Sequence, residues 1–484
     1  MDTPSFPPPR DATEQDILDK LVTIRDQLQL LKHNRKTYMQ KQDIIPLYQD
    51  TIEQVRRLTE ARPQDQEVEK NRVDRVLDSC FLLLSLSFMT IGQNNTAPAA
   101  YALTVTTERL LDHLAEVDLF SAKDLESLEE TLTTLTRNVK NAAAEQSPYL
   151  VTLLLNRLDS CKKSLAKLQK RLEKYEKPLP KVHETLISIL RSISWANTRS
   201  KFSPSEVKKL RKQLTDIEQD IKDGKYKKED GEWPSGSAEV DNLLRKCLLW
   251  ADIVLDRAGD IPDSFKPMYT KLVRIKNDLD KLSITGRWAL READLYDYTR
   301  ELDWIDEQRV NGNWVDEDGR EAELYVQRTM LYLVRRSYGY VYFLMLSSKP
   351  VSEALLPIFN QLQTLKTCLV EVKNSGGVSS VRELYPYSMK LNSIDNLRVD
   401  GKFIFNGDIP EGQGSVNELL AECFELNYEL RVAAESTAEE EDDGEDDATP
   451  GDVKTSESET EALANTLSES RLDAAPATDT PAKA

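Results

Sequence analysis

The sequence predicts an all-α protein made of tandem helical repeat units of roughly 90 residues, stacked as an elongated array with short β-hairpin inserts. Three observations lead there. A punctuated motif occurs three times, at Leu214–Gly231 (LTDIEQDIKDGKYKKEDG), Leu302–Gly319 (LDWIDEQRVNGNWVDEDG) and Leu391–Gly407 (LNSIDNLRVDGKFIFNG). A proline followed twelve residues later by leucine keeps step with it, at Pro178/Leu190, Pro267/Leu279 and Pro357/Leu369, spaced by 89 (178 to 267) and 90 (267 to 357) residues. Charged residues make up 30% of the chain and glycine only 17 of 484 residues, as in helix-rich proteins.

Each part of the motif has a physical reading. Leu and Ile three residues apart lie on one helical face and end an amphipathic helix. Asp-Gly or Asn-Gly at Gly224, Gly312 and Gly401 then reads as the helix stop, because glycine enters the left-handed conformation without a Cβ clash. The aromatic two residues on (Tyr226, Trp314, Phe403) starts an extended piece, and a second Asp/Asn-Gly signals a hairpin. A phosphate-cradling loop would need a Lys-Ser/Thr pair opening the next helix, which is missing in each copy. The glycines are therefore assigned to backbone geometry, and Pro178, Pro267 and Pro357 to first helical turns, where proline costs no hydrogen bond.

Taken in order, residues 1–13 read as a disordered lead. Residues 14–145 form an N-terminal helical region in which Pro46/Leu58 suggests a diverged copy of the repeat. Its apolar run Cys80–Ile91 is too short to span a bilayer and reads as a core helix. Unit 1 covers 146–260, beginning with a long helix over Tyr149–Tyr175; unit 2 covers 261–348 and unit 3 covers 349–434. The last helix of unit 2, Ala322–Leu346, carries apolar and aromatic residues on all sides and is expected to be central. Residues 435–484 are acidic, Ser/Thr-rich and without aromatics, the composition of disorder. There Ser456, Ser458 and Thr460 alternate with acids in the pattern of acid-directed phosphorylation sites.

The net charge of −19 is unevenly spread. From residue 435 onward 16 acids face 3 bases, whereas between Lys162 and Lys228 there are 19 bases and 8 acids. The candidate interaction patch is Lys162, Lys163, Lys167, Lys170, Arg171 and Lys174 on one helix with Lys208, Lys209, Arg211 and Lys212 on a later one. Such faces meet phosphates, meet an acidic protein surface or are simply solvated. The acidic tail is a natural competitor for them.

Chemistry finds little purchase. The three histidines, His33, His113 and His183, have no second His or Cys at ligand spacing, and neither a nucleophile elbow nor a nucleotide loop is present. No catalytic residue, cofactor or metal is expected. The pair Asp303/Asp306 on a charged helix reads as solvated surface or as i,i+4 pairing with residues such as Arg300. Five cysteines without paired spacing fit a reducing compartment, and Cys247 and Cys423, at matching places in their units, are expected as buried thiols.

The segments GEWPSGSAEVDNLLRKCLLWADIVLDRAGDIP (Gly231–Pro262) and LREADLYDYTRELDWIDEQRVNGNW (Leu290–Trp314) resemble a fungal family of uncharacterised all-helical proteins that carries a domain of unknown function. The family is associated with copper and bleomycin sensitivity and loosely with the proteasome. The resemblance covers roughly residues 15–434 and implies a soluble cytoplasmic and nuclear protein without established chemistry. The expected function is a non-enzymatic scaffold or adaptor for protein partners, with links to protein turnover or stress response. The alternatives are a basic-face binder of nucleic acid or anionic headgroups, and an enzyme with an unrecognised site.

Overall fold

The computed structural model describes residues 6–442 except 35, 37, 63–69, 94, 118, 200, 229–230, 258, 285–291, 348–350 and 406–408. Fifteen α-helices and one two-stranded sheet make up this region, confirming the all-α class. The helices fall into five sets of three. They are α1 (Ala12–His33), α2 (Lys41–Ala61) and α3 (Arg72–Thr90); α4 (Thr96–Val117), α5 (Ala122–Asn141) and α6 (Pro148–Leu172); and α7 (Leu179–Asn197), α8 (Pro204–Lys222) and α9 (Ser237–Arg257). The fourth set is α10 (Lys266–Ile284), α11 (Leu295–Asp306) and α12 (Leu324–Ser347), and the fifth α13 (Leu356–Asn374), α14 (Tyr385–Asp395) and α15 (Gln413–Asp442). In every set the third helix packs along the first, and the middle helix leans on both.

A buried thiol marks the same place in four sets. Cys80 Sγ lies 3.4 Å from Leu21 O, Cys161 Sγ 4.0 Å from Thr104 O, Cys247 Sγ 3.8 Å from Leu186 O and Cys423 Sγ 3.4 Å from Leu362 O. The partners are 59, 57, 61 and 61 residues apart, so one step relates third helix to first even ahead of Pro178. Burial pushes the Cys80, Cys161 and Cys247 thiols up to about 12 and Cys423 to about 11. These are packing groups, and the expectation for Cys247 and Cys423 holds.

The three repeat glycines all take left-handed backbone, at φ 72 for Gly224, 84 for Gly312 and 76 for Gly401. Only Gly224 stops a helix: its N–H bonds Ile221 O, the next N–H bonds Asp220 O, and α8 ends just before it. In the other two copies the helix has already ended, and Asn311-Gly312 and Asp400-Gly401 are two-residue hairpin tips with both φ positive. Val310 bridges Asn313, and β1 (Arg398–Val399) pairs with β2 (Lys402–Phe403). The difference lies two residues before each glycine. Val310 and Val399 favour a strand there, whereas Lys222 continues the helix. Pro267 and Pro357 are second residues of α10 and α13, and Pro178 immediately precedes α7.

The aromatics after the tips are core residues, Trp314 and Phe403 each 1% exposed. The same clamp holds both. Gln327 accepts from Trp314 N and donates to its carbonyl, and Gln413 does so for Phe403.

Helix α12 touches α4, α7, α9, α10 and α11 and is the central element, as its composition predicts. Its tyrosines reach in different directions. Tyr325 Oη donates to Asn197 at the end of α7 (2.8 Å), Tyr340 to Asp280 of α10 (2.6 Å) and Tyr338 to Asp303 of α11 (2.5 Å); Tyr342 shares a hydrogen bond with Thr131 of α5 (2.6 Å). Each ring fills apolar space while its hydroxyl finds a partner, the usual condition for burying tyrosine. The long helix α6 shares its packing with α4, α5 and α2.

The fifth set has its own core around Leu355, Leu362, Leu391, Phe403 and Leu420. A backbone bond ties it to the end of α3, Glu353 N donating to Thr90 O (3.0 Å), and beside it, within the set, Ser352 N donates to Glu411 O (3.2 Å). Gly92 closes this corner at φ 79, and a Cβ there would sit 2.6 Å from Ser352 N and 2.7 Å from Glu411 O. Gly92→Ala is therefore expected to lower stability by about 2 kcal/mol and to speed hydrogen exchange at Ser352, Glu353 and Leu355. Unchanged exchange at those amides would show that the corner does not hold the fifth set.

Candidate functional site

Charged side chains from four helices meet inside the protein. Asp303 is 7% exposed. Its carboxylate takes Arg75 Nη2 at 2.5 Å, Arg109 Nη1 at 3.1 Å and the Tyr338 hydroxyl at 2.5 Å. One helical turn on, Asp306 meets His113 Nε2 at 3.2 Å and Arg309 Nη2 at 2.9 Å, and Arg309 also reaches Glu116 at 2.5 Å. Arg75 pairs with Glu307 at 2.7 Å. Beside them Arg157 holds Asp78 at 2.7 Å and lies over the Tyr101 ring, whose hydroxyl donates to the same Asp78 oxygen at 2.8 Å.

This corrects the sequence expectation that Asp303 and Asp306 lie on solvated surface. Asp303 is in phase with Tyr296, Thr299 and Leu302 on the buried face of α11, and that phase was the available signal. What helical spacing could not supply was its partners, which sit on α3 and α4.

The electrostatics follow from geometry. Burial alone would lift the Asp303 carboxyl, but the Arg109 and Arg75 guanidiniums override it and hold the group below the usual carboxylate range. Asp306 is also lifted by burial, and His113, Arg309 and Arg109 bring it down. Burial pushes Tyr338 and Tyr101 well above the ordinary tyrosine range. The adjoining cavity, lined by Arg75, Thr106, Arg109, Thr299, Asp303 and Tyr338 among others, measures ≈ 50 Å³. That is room for one or two waters, each taking about 30 Å³ in the liquid.

A second feature is exposed. A groove of ≈ 630 Å³ runs between the 3-10 turn Val381–Leu384, the start of α14 and the later part of α15. Val381, Tyr385, Met389, Tyr428 and Val432 are exposed on these elements, and Leu397, Val399, Ile404 and Ile409 are exposed on and beyond the neighbouring hairpin. Nothing in the spacing of α14 announced this, because its apolar residues read simply as helix.

The sequence-predicted patch residues are distributed as follows. Lys162, Lys163, Lys167, Lys170 and Arg171 lie on α6, and Lys174 just beyond it; Lys208, Lys209, Arg211 and Lys212 lie on α8. All are at the surface, with Lys162 and Arg211 partly covered. α6 packs on α4, α5 and α2, whereas α8 packs on α9 and α7, so the two runs ride on different helix groups. Lys163 pairs with Asp159 and Arg211 with Asp252. Ser456, Ser458 and Thr460 lie outside the described residues. Among the described residues no three His, Cys, Asp or Glu side chains gather as metal ligands, and no helix is long and apolar enough to cross a membrane.

Removing one member of a buried ion pair leaves the other charge uncompensated, a loss of about 3–5 kcal/mol. Asp303→Asn is therefore expected to destabilise the protein by about 3 kcal/mol in urea unfolding at neutral pH. Because the Asp303 carboxyl is depressed in the fold, its contribution is complete above its ordinary value of 3.8 and disappears as pH falls through the folded value. The gap between wild type and variant should accordingly close in strong acid. A gap independent of pH would show that charge at Asp303 is not what matters.

Comparison with known proteins places the chain. A family model described as a protein of unknown function, DUF2408, matches residues 172–292, from the last residue of α6 to the first of the 3-10 turn Glu292–Asp294. The Cu(2+) suppressing and bleomycin sensitive protein 1 of Saccharomyces cerevisiae is 35% identical over 504 aligned residues, covering 88% of this chain and 91% of that protein. A CUB1 family protein of Schizosaccharomyces pombe is 36% identical over 429 residues, covering 86% of this chain and 93% of that protein. No solved structure matches it significantly. With similarity running through nearly the whole helical array, the chain belongs to the CUB1 family of fungal proteins.

Proposed function

We propose that the protein is a non-enzymatic scaffold that binds protein partners through its helical surface, chiefly through the fifth set. One observation carries this. Of the eighteen large apolar residues exposed among the described residues, nine lie between Val381 and Val432. Tyr385 and Tyr428 are 64% and 65% exposed, on helices whose opposite faces are buried. Contiguous exposed apolar surface rich in tyrosine is characteristic of interaction sites. The ionic cluster supports the same reading. Its Asp303 and Asp306 carboxyls are held low and its Tyr338 and Tyr101 hydroxyls high, away from the near-neutral values that suit acid–base catalysis. We place the partners in protein turnover or stress response, and the protein in cytoplasm and nucleus. The copper and bleomycin in one relative's name fit a stress-linked role.

A basic-face reading has one observation in its favour: Lys167, Lys170 and Lys174 are exposed and have no acidic partner among the described residues. Binding through them would weaken steeply with salt.

The two readings separate experimentally. Full-length protein carrying Tyr385→Asp and Tyr428→Asp is expected to lose at least tenfold in affinity for purified proteins first captured by wild type, with its thermal midpoint unchanged. Lys167→Glu with Lys170→Glu and Lys174→Glu should leave that affinity in place. The reverse result would move the binding surface to α6.

A further inference from the structure

The groove of the fifth set has the chemistry of a peptide site. Val381 and Tyr385 supply an apolar wall, and Arg382 and Arg431 bring positive charge. Arg382 is exposed and has no carboxylate partner among the described residues, whereas Arg431 Nε donates to Glu435 at 2.8 Å. Between them Asn427 Nδ2 donates to Ser388 Oγ at 3.0 Å. The occupant thus needs apolar side chains for the Tyr385 wall and carboxylates for the two arginines.

The chain itself carries such a segment. Beyond residue 434 there are 16 acids and 3 bases, and the leucines there are Leu463, Leu467 and Leu472. All three fall in Glu461–Leu472 (EALANTLSESRL), with Glu461 and Glu469 beside them. The reach is ample. α15 carries Arg431 and continues to Asp442, about 16 Å further at 1.5 Å per residue. The twenty residues from 443 to 462 can span up to about 66 Å when extended.

We infer that Glu461–Leu472 docks in this groove within the same molecule. Its leucines lie against Tyr385 and Val381, and its carboxylates face Arg382 and Arg431. The tail then competes with protein partners for the face on which the scaffold reading rests. This moves the site of tail action from the lysine-rich helices to the fifth set.

The test uses the full-length protein and a fluorescent peptide of residues 459–473, read by anisotropy. Leu463→Glu with Leu467→Glu should vacate the groove, so that this variant binds the peptide at least tenfold more tightly than wild type does. Adding Arg382→Glu and Tyr385→Ala to the vacated variant should remove that gain. Both changes are at exposed positions, and a matching thermal midpoint confirms that the fold is kept. Equal peptide binding by wild type and the vacated variant would overturn the proposal, as would no binding to either. Occlusion in wild type that is lost on dilution, together with dimers in sedimentation, would also overturn it in favour of a second copy's tail. If the peptide results fail while Tyr385→Asp with Tyr428→Asp still strips protein partners, the scaffold reading stands and only the tail assignment falls.

Discussion

The carboxylate of Asp303, caught between the guanidiniums of Arg75 and Arg109, is the constraint on which the arrangement of the helix sets depends. Hydrophobic packing alone is non-directional, and α12 offers apolar surface on several sides. A carboxylate out of water is tolerable only where opposite charge and donors converge on it. Here they come from α3, α4 and α12, so α11 has one acceptable seat. With Arg157–Asp78 and Arg309–Asp306 alongside, positive and negative groups in the cluster nearly balance. Such clusters often add little net stability, but misplacing one member is costly. The cluster's contribution is therefore to register: it fixes where the fourth set lies against the first two.

The fifth set stands outside that network. It has its own core and meets the rest at the α3–α4 turn, through the Glu353 N–Thr90 O backbone bond and the Gln93–Glu411 side-chain bond, beside Gly92, where only glycine fits. End units of helical arrays normally present a polar outer face. This one presents Tyr385, Met389, Tyr428 and Val432. It also carries a groove lined by Arg382 and Arg431 and leads straight into a strongly acidic segment.

Much of this was legible in the chain and some was not. The Leu–Ile spacing, the paired Pro/Leu landmarks and the crowded composition of α12 led correctly to a repeated all-α design with a central helix. Cys80 and Cys161 carried a signal that pointed to further sets ahead of Pro178, since their contacts repeat the step seen at Cys247 and Cys423. Gly312 and Gly401 were placed rightly in left-handed backbone but assigned to helix stops, when the preceding valine makes them hairpin tips. Asp303 was assigned to solvent because a charged residue on a charged helix usually belongs there.

Helices, their apolar stripes and their glycine and proline punctuation were determined by the sequence alone, because propensity, Cβ sterics and 3.6-residue periodicity act over a few neighbouring residues. Which charges are buried, and which apolar residues are left uncovered, was decided only by tertiary structure. Arg75 and Arg109 stand far upstream of Asp303, and Tyr385 is exposed because, among the described residues, no helix packs over it. Solvent exposure and ionic partnership belong to the assembled surface, and short-range pattern carries no record of what the rest of the chain brings alongside.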